Sequence, residues 1–178
     1  MKNYLAKYNT RMQTDVAQAS RDGNLYRAFD TIAIAAGVTV NLVLDIPVGV
    51  DVFGFSRFTE VAGGTCQGQF FMVSGFTSSS EIMAGLNFDQ REDNGHPSLS
   101  KLHRASAVAG EVAFGPLNEF FVGTSAAARA PASQTEAGAQ PSLDHSSLAC
   151  FRYTNTSNDT ASLNMLLFFQ ELPNGKIS

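Results

Sequence analysis

Tryptophan is absent from these 178 residues, cysteine occurs only twice, and charged side chains make up just 16%. Two cysteines cannot build a disulfide framework, and Cys66 and Cys150 lack the close spacing of a thiolate metal site. Both are read as reduced and buried, with one bridge between them left open. Without tryptophan the preferred platform for a sugar ring is missing, and Tyr153 and Tyr26 remain as aromatic candidates. No apolar run approaches the roughly 20 residues of a membrane helix. The start, MKNYLAKYNTRMQ, has no apolar stretch of the signal-peptide kind. The expectation is a protein made in a host cytoplasm with no membrane contact, so that the sequons at Asn155 and Asn158 serve only as turn residues.

Positive charge is also scarce. The net charge of −4 argues against direct nucleic-acid binding, which needs a basic face. Lys2, Lys7, Arg11, Arg21 and Arg27 are scattered among Asp15, Asp22 and Asp30 and form no cluster. The charged fraction falls well below the roughly 25% of ordinary soluble chains. Fourteen phenylalanines among many Ala, Gly, Ser and Thr residues suit a protein packed against neighbours. The length is that of one domain with a self-sufficient core.

What is present is a period of two. Residues 1–29 are polar with scattered Tyr4, Leu5, Tyr8, Leu25 and Tyr26, and are read as an arm. From Asp30 the pattern changes. In GVTVNLVLDIP, Val38, Val40, Leu42, Leu44 and Ile46 alternate with Thr39, Asn41, Val43 and Asp45, as in a half-buried strand. DVFGFSRFTE continues as a strand in which Gly54 marks a bulge. QFFMVSGF and SEIMAGLNF are further strands, and EVAFGPLNEFFVG holds one or two, broken at Gly115-Pro116. SLSKLHRASAV reads as a short helix capped by Ser98. FDQREDNGHPS and the Ala-rich residues 124–142 read as loops, the second long enough to be functional. At the end, SLACFRYTN and TASLNMLLFFQEL form two strands joined by TSND, read as a hairpin. Leu163, Met165, Leu167 and Phe169 share one face of the last strand, while Leu166 and Phe168 face the other way. A strand apolar on both sides is central, or is covered by another subunit. Roughly eight strands with turns between them indicate a mainly β chain. The expected fold is an antiparallel, jelly-roll-like β-sandwich over residues 30–178, with at most one or two short helices.

Catalytic constellations fail on inspection. Asp144-His145-Ser146 cannot be a triad, because adjacent side chains cannot form the directed Ser-to-His-to-carboxylate chain. GTSAA at 123–127 lacks the second glycine of a nucleophile elbow. Cys66 in GGTCQG has no cation beside it to activate a thiolate; its glycines read as a tight hairpin. Asp89, Glu92 and Asp93 miss the EF-hand register. His96 and His103 with Asp93 lack the spacing of a metal site. The expectation is no enzyme, no cofactor and no metal. A metal-dependent enzyme using His96 or His103 stands as a third reading, behind a carbohydrate- or receptor-binding module.

The polar arm, the Gly/Ala/Ser/Thr-rich β body, the low charge and the apolar C-terminal end together resemble the structural proteins of bacteriophage virions. Capsid decoration (cement) proteins and other small head or tail components are similar in this style. The resemblance spans the whole chain but has no diagnostic motif. It implies a non-enzymatic virion protein that forms homo-oligomers and binds a major capsid protein or another virion component. Tyr4, Leu5, Tyr8, Arg11, Leu25, Tyr26, Arg27 and Arg129 are the candidate partner contacts, on the arm and the Ala-rich loop.

Overall fold

The computed structural model describes residues 23–84, 86–87, 97–113, 119–123, 143 and 146–173. Among them eleven strands form and no helix does. In order they are β1 (Leu25–Ile34), β2 (Thr39–Asp45), β3 (Val50–Ala62), β4 (Thr65–Val73), β5 (Gly75–Ala84) and β6 (Leu86–Asn87). β7 (Lys101–Ala109), β8 (Val112–Ala113), β9 (Glu119–Gly123), β10 (Leu148–Asn155) and β11 (Ala161–Pro173) follow.

Two antiparallel sheets pack face to face as a β-sandwich. One has the order β3-β11-β1-β6; the other runs β5-β7-β2-β10-β4-β8, with β9 also on β4. Early strands pair with late ones in a nested way. β1 lies beside β11 and β2 beside β10, and β3 and β4 take the opposite edges of those same partners. The chain thus rolls up like a jelly roll. Between the sheets lie Ile32, Ile34, Leu42, Leu44, Phe151, Tyr153, Leu163, Leu167 and Phe169, all buried. Each such side chain contributes about 1.5–3 kcal/mol by leaving water.

The period-two reading of β2 and β11 holds, and so does the bulge near Gly54. Phe168 faces Ser56 while Gln170 faces Phe53, so β3 carries one residue more than β11 across Gly54 and Phe55. Four expectations are corrected. β10 and β11 are no hairpin, because they belong to different sheets. The residues between them form a corner held by buried Asn155. Its Nδ2 donates to the carbonyls of Ile34 and Asp159, and its Oδ1 accepts from Ser157 N and Oγ. GGTCQG is likewise a crossing between sheets, and Gly63 has φ +80° there. A side chain on neighbouring Gly64 would press on Ser157 and Ala161 of the other corner. Residues 101–109 form strand β7, not a helix. Placed between β2 and β5 they gain ladders on both edges, which outweighs local propensity. Finally, β1 begins at Leu25, so the sheet takes the last five residues assigned to the arm. Residues 10–20, 88–96 and 124–142 lie outside the described residues.

Candidate interaction surface

The outer face of the four-stranded sheet is built by β1, β11 and β3. Alternation along β1 sends Tyr26, Ala28, Asp30, Ile32 and Ile34 inward and leaves Arg27, Phe29, Thr31 and Ala33 exposed. On β11 the outward set is Asn164, Leu166 and Phe168, the last two half-buried. Cross-strand register lines these into three rows. Arg27 faces Phe168, which faces Ser56; Phe29 faces Leu166, which faces Phe58; Thr31 faces Asn164, which faces Glu60. In the middle row Phe29 and Leu166 are apolar, and Phe29 keeps 48% of its surface in water. Thr31 Oγ1 donates to Asn164 Oδ1 at 2.9 Å, which holds the third row in place. Arg27 and Glu60 are both exposed and stand at opposite corners of the patch.

Polar anchors lie beneath the face. Arg104 on β7 reaches across from the other sheet, its Nε and Nη2 donating to Asp30 Oδ2 and Oδ1 at 2.8 and 2.6 Å. The hydrogen bond to Asp30 holds the Arg104 guanidinium charged beyond its usual range. At one end of the sandwich, buried Glu171 on β11 grips the loop ahead of β7. Its Oε1 accepts from Ser98 Oγ at 2.5 Å and Ser100 N at 2.7 Å, and its Oε2 accepts from Leu99 N at 3.0 Å. Ser98 is therefore a ligand of this carboxylate and not a helix cap. The grip presents Leu99 to solvent at 61% exposure, and Val48 stands out at 81% on the β2–β3 turn.

Of the contact residues expected from sequence, Tyr4, Leu5, Tyr8, Arg11 and Arg129 lie outside the described residues. Leu25 is half-buried at the start of β1 and Arg27 is exposed. Tyr26 is corrected: it is 1% exposed and stacks on Phe169, ring centroids 5.8 Å apart. Burial, then the charge of Glu171, pushes its phenol up to about 12. Tyr153, the other ring proposed for a sugar, is also core, its hydroxyl 3.1 Å from Thr59 Oγ1. Neither can stack on a saccharide. Phe29, Leu166 and Phe168 are the apolar residues of this face that sequence did not select. Phe29 lay within the presumed arm, and only the double-sided apolarity of β11 signalled the other two.

The remaining reactive groups do not converge. His103 lies on the outer side of the seven-stranded sheet, its Nδ1 3.1 Å from Ser78 Oγ and its ring against Phe76. His96 and His145 are outside the described residues, as are Asp89, Glu92 and Asp93. Among the described residues no three His, Cys, Asp or Glu side chains gather as metal ligands. Cys66 and Cys150 are free and buried. They occupy different apolar clusters, on opposite sides of the seven-stranded sheet. Burial pushes the Cys66 thiol up and the Cys150 thiol up to about 12. No helix among the described residues is long and apolar enough to cross a membrane.

No family model and no curated protein matches the chain. Among solved structures it is similar to a chain in the structure of infectious bursal disease virus, Gt strain. The identity is 12% and the TM-score 0.17, over 86% of this chain and 41% of that one. The chain thus spans less than half of that neighbour's length. At this TM-score the likeness carries no argument about fold or function.

Proposed function

We propose that the chain is a non-enzymatic structural protein of a virus particle, working by surface burial between copies of itself and a capsid lattice. The observation that supports this reading is the outer face of the four-stranded sheet. Phe29 and Leu166 stand side by side there as an apolar row, and Phe29 is half in water. Apolar area is stabilised by about 25 cal/mol per Å² when a partner removes it from water, and a lattice repeats the gain at every site. The low charge and the resemblance to decoration proteins supply the particle part of the reading. Residues ahead of β1 act as the arm and reach neighbouring subunits. Virion location, homo-oligomer formation and a capsid-protein partner all belong to this proposal.

Density-gradient fractionation of lysate from producing cells tests it. The chain should sediment with particles and stay with them through a salt wash. Its confinement to the soluble fractions would end the reading. Deleting residues 1–22 should leave a folded domain that no longer joins particles. The cut must stop short of Leu25, because β1 begins there. The carbohydrate reading has lost both of its rings to the core, and no observation favours it.

A further inference from the structure

We infer that the outer face of the four-stranded sheet is a two-fold, self-complementary contact, and that its occupant is a second copy of this chain. The inference rests on reading that face as a contact surface and adds its partner and its symmetry. The argument is the placement of charge around the apolar row. Exposed Arg27 and exposed Glu60 sit diagonally across Phe29 and Leu166. They are four residues apart along the strands and two strands apart across the sheet. With a rise of about 3.3 Å and a strand spacing of about 4.8 Å, the diagonal is roughly 16 Å.

An isologous interface brings the same patch of two copies together, so that residue i meets j and j meets i. A two-fold axis lying in the contact plane and perpendicular to that diagonal sets Arg27 of each copy over Glu60 of the other. Two equivalent ion pairs then flank a central contact of Phe29 and Leu166 against their symmetry mates. The strands of the two copies cross at roughly 70°, close to the orthogonal class of sheet packing. A face of one charge, or with like charges on the diagonal, would repel its own copy under this operation. Opposite signs at the two corners make the patch complementary to itself.

Sedimentation equilibrium on the full chain, compared with R27E, E60R, F29D and the double swap R27E/E60R, tests this. All these positions are exposed, and unchanged circular dichroism checks that each variant folds. The expected result is a dimer for the parent chain and weakening of about tenfold or more for each single reversal, which sets like charges face to face. The double swap should return to within about threefold of the parent, because the pairs are restored with signs exchanged. F29D should abolish dimerisation. A parent chain monomeric at about 100 μM, single reversals with unchanged affinity, or a double swap no better than the singles would each overturn the inference. A chain that travels with particles but stays monomeric when pure leaves the virion reading standing and removes this one. A rescued dimer absent from particle fractions does the reverse.

Discussion

The two outer faces of the sandwich receive the same kind of residue and end differently. On the seven-stranded sheet Val43, Phe71, Val73, Ala105 and Cys150 point away from the other sheet, yet all are buried. Arg152 forms part of the cover. Its guanidinium lies 4.6 Å above the Phe71 ring, and its Nε donates to Asn41 Oδ1 at 2.9 Å. Glu111 braces it from the far side through an ion pair. On the four-stranded sheet the matching row, Phe29 and Leu166, has no such cover among the described residues, and Phe29 remains half-exposed. An outward apolar side chain therefore says little by itself. What matters is whether the chain supplies its own lid.

A charge inserted into each row breaks or sharpens that contrast most strongly. Val43→Asp buries an unpaired carboxylate and should cost about 4 kcal/mol or more, enough to unfold a marginal domain. Phe29→Asp should leave the monomer's urea midpoint within about 0.5 kcal/mol of the parent, because its carboxylate stays in water. Truncation gives the next largest difference. Phe71→Ala should destabilise by about 3 kcal/mol, as for a buried aromatic, while Phe29→Ala should cost under about 1 kcal/mol. Equal losses at the two positions would mean that the faces do not differ.

The fold class was legible because side-chain alternation is local. Val40, Leu42 and Leu44 announce β2 without knowledge of any partner, and Gly54 announces its bulge. Sheet membership was not legible. Strands β10 and β11 are adjacent in sequence and each is a plausible hairpin arm, yet Asn155 turns the chain between layers. One of its four hydrogen bonds reaches Ile34, more than a hundred residues away, and no local pattern encodes that. β7 misled for a related reason: Leu102, His103 and Ala105 give no clear period, and strandedness comes from β2 and β5 on its flanks. The proposed contact surface was half legible. Double-sided apolarity in MLLFF pointed to β11, but Tyr26 and Phe29 could not be assigned to faces until β1 had a register.

Alkaline titration reads the buried groups and leaves the open face silent. Burial holds the Cys150 thiol at about 12 against an ordinary 9, so the folded state keeps a proton that the unfolded chain releases. Stability from this group is complete below pH 9 and is lost between pH 9 and 12, with a limiting slope on the order of 1 kcal/mol per pH unit. Tyr26 adds a similar loss between 10 and 12. Denaturant unfolding at pH 8, 9 and 10 should therefore show a fall beginning near 9. Cys150→Ala should flatten its first part, and Phe29→Ser should leave it unchanged. A slope that survives Cys150→Ala would place its origin elsewhere.

The smallest effect isolates the lid itself. Arg152→Ala removes the cation above Phe71 and frees Glu111, whose carboxyl the guanidinium now holds below its usual range. A cation over an aromatic ring is worth about 0.5–1 kcal/mol at a partly exposed site, so the loss of stability should be about 1 kcal/mol. The sharper readout is thiol chemistry, since Cys150 lies in the row that Arg152 helps to cover while Cys66 lies between the sheets. Labelling by a thiol reagent under native conditions should accelerate at Cys150 and stay slow at Cys66, which acts as an internal control within the same molecule. Arg152→Lys keeps the charge but loses the planar fork that bonds Asn41 and Glu111 together, and should fall between parent and alanine. If Cys150 labels no faster in Arg152→Ala than in the parent, the guanidinium is not the lid. The two outer faces would then differ for a reason other than the one the Arg152 geometry supplies.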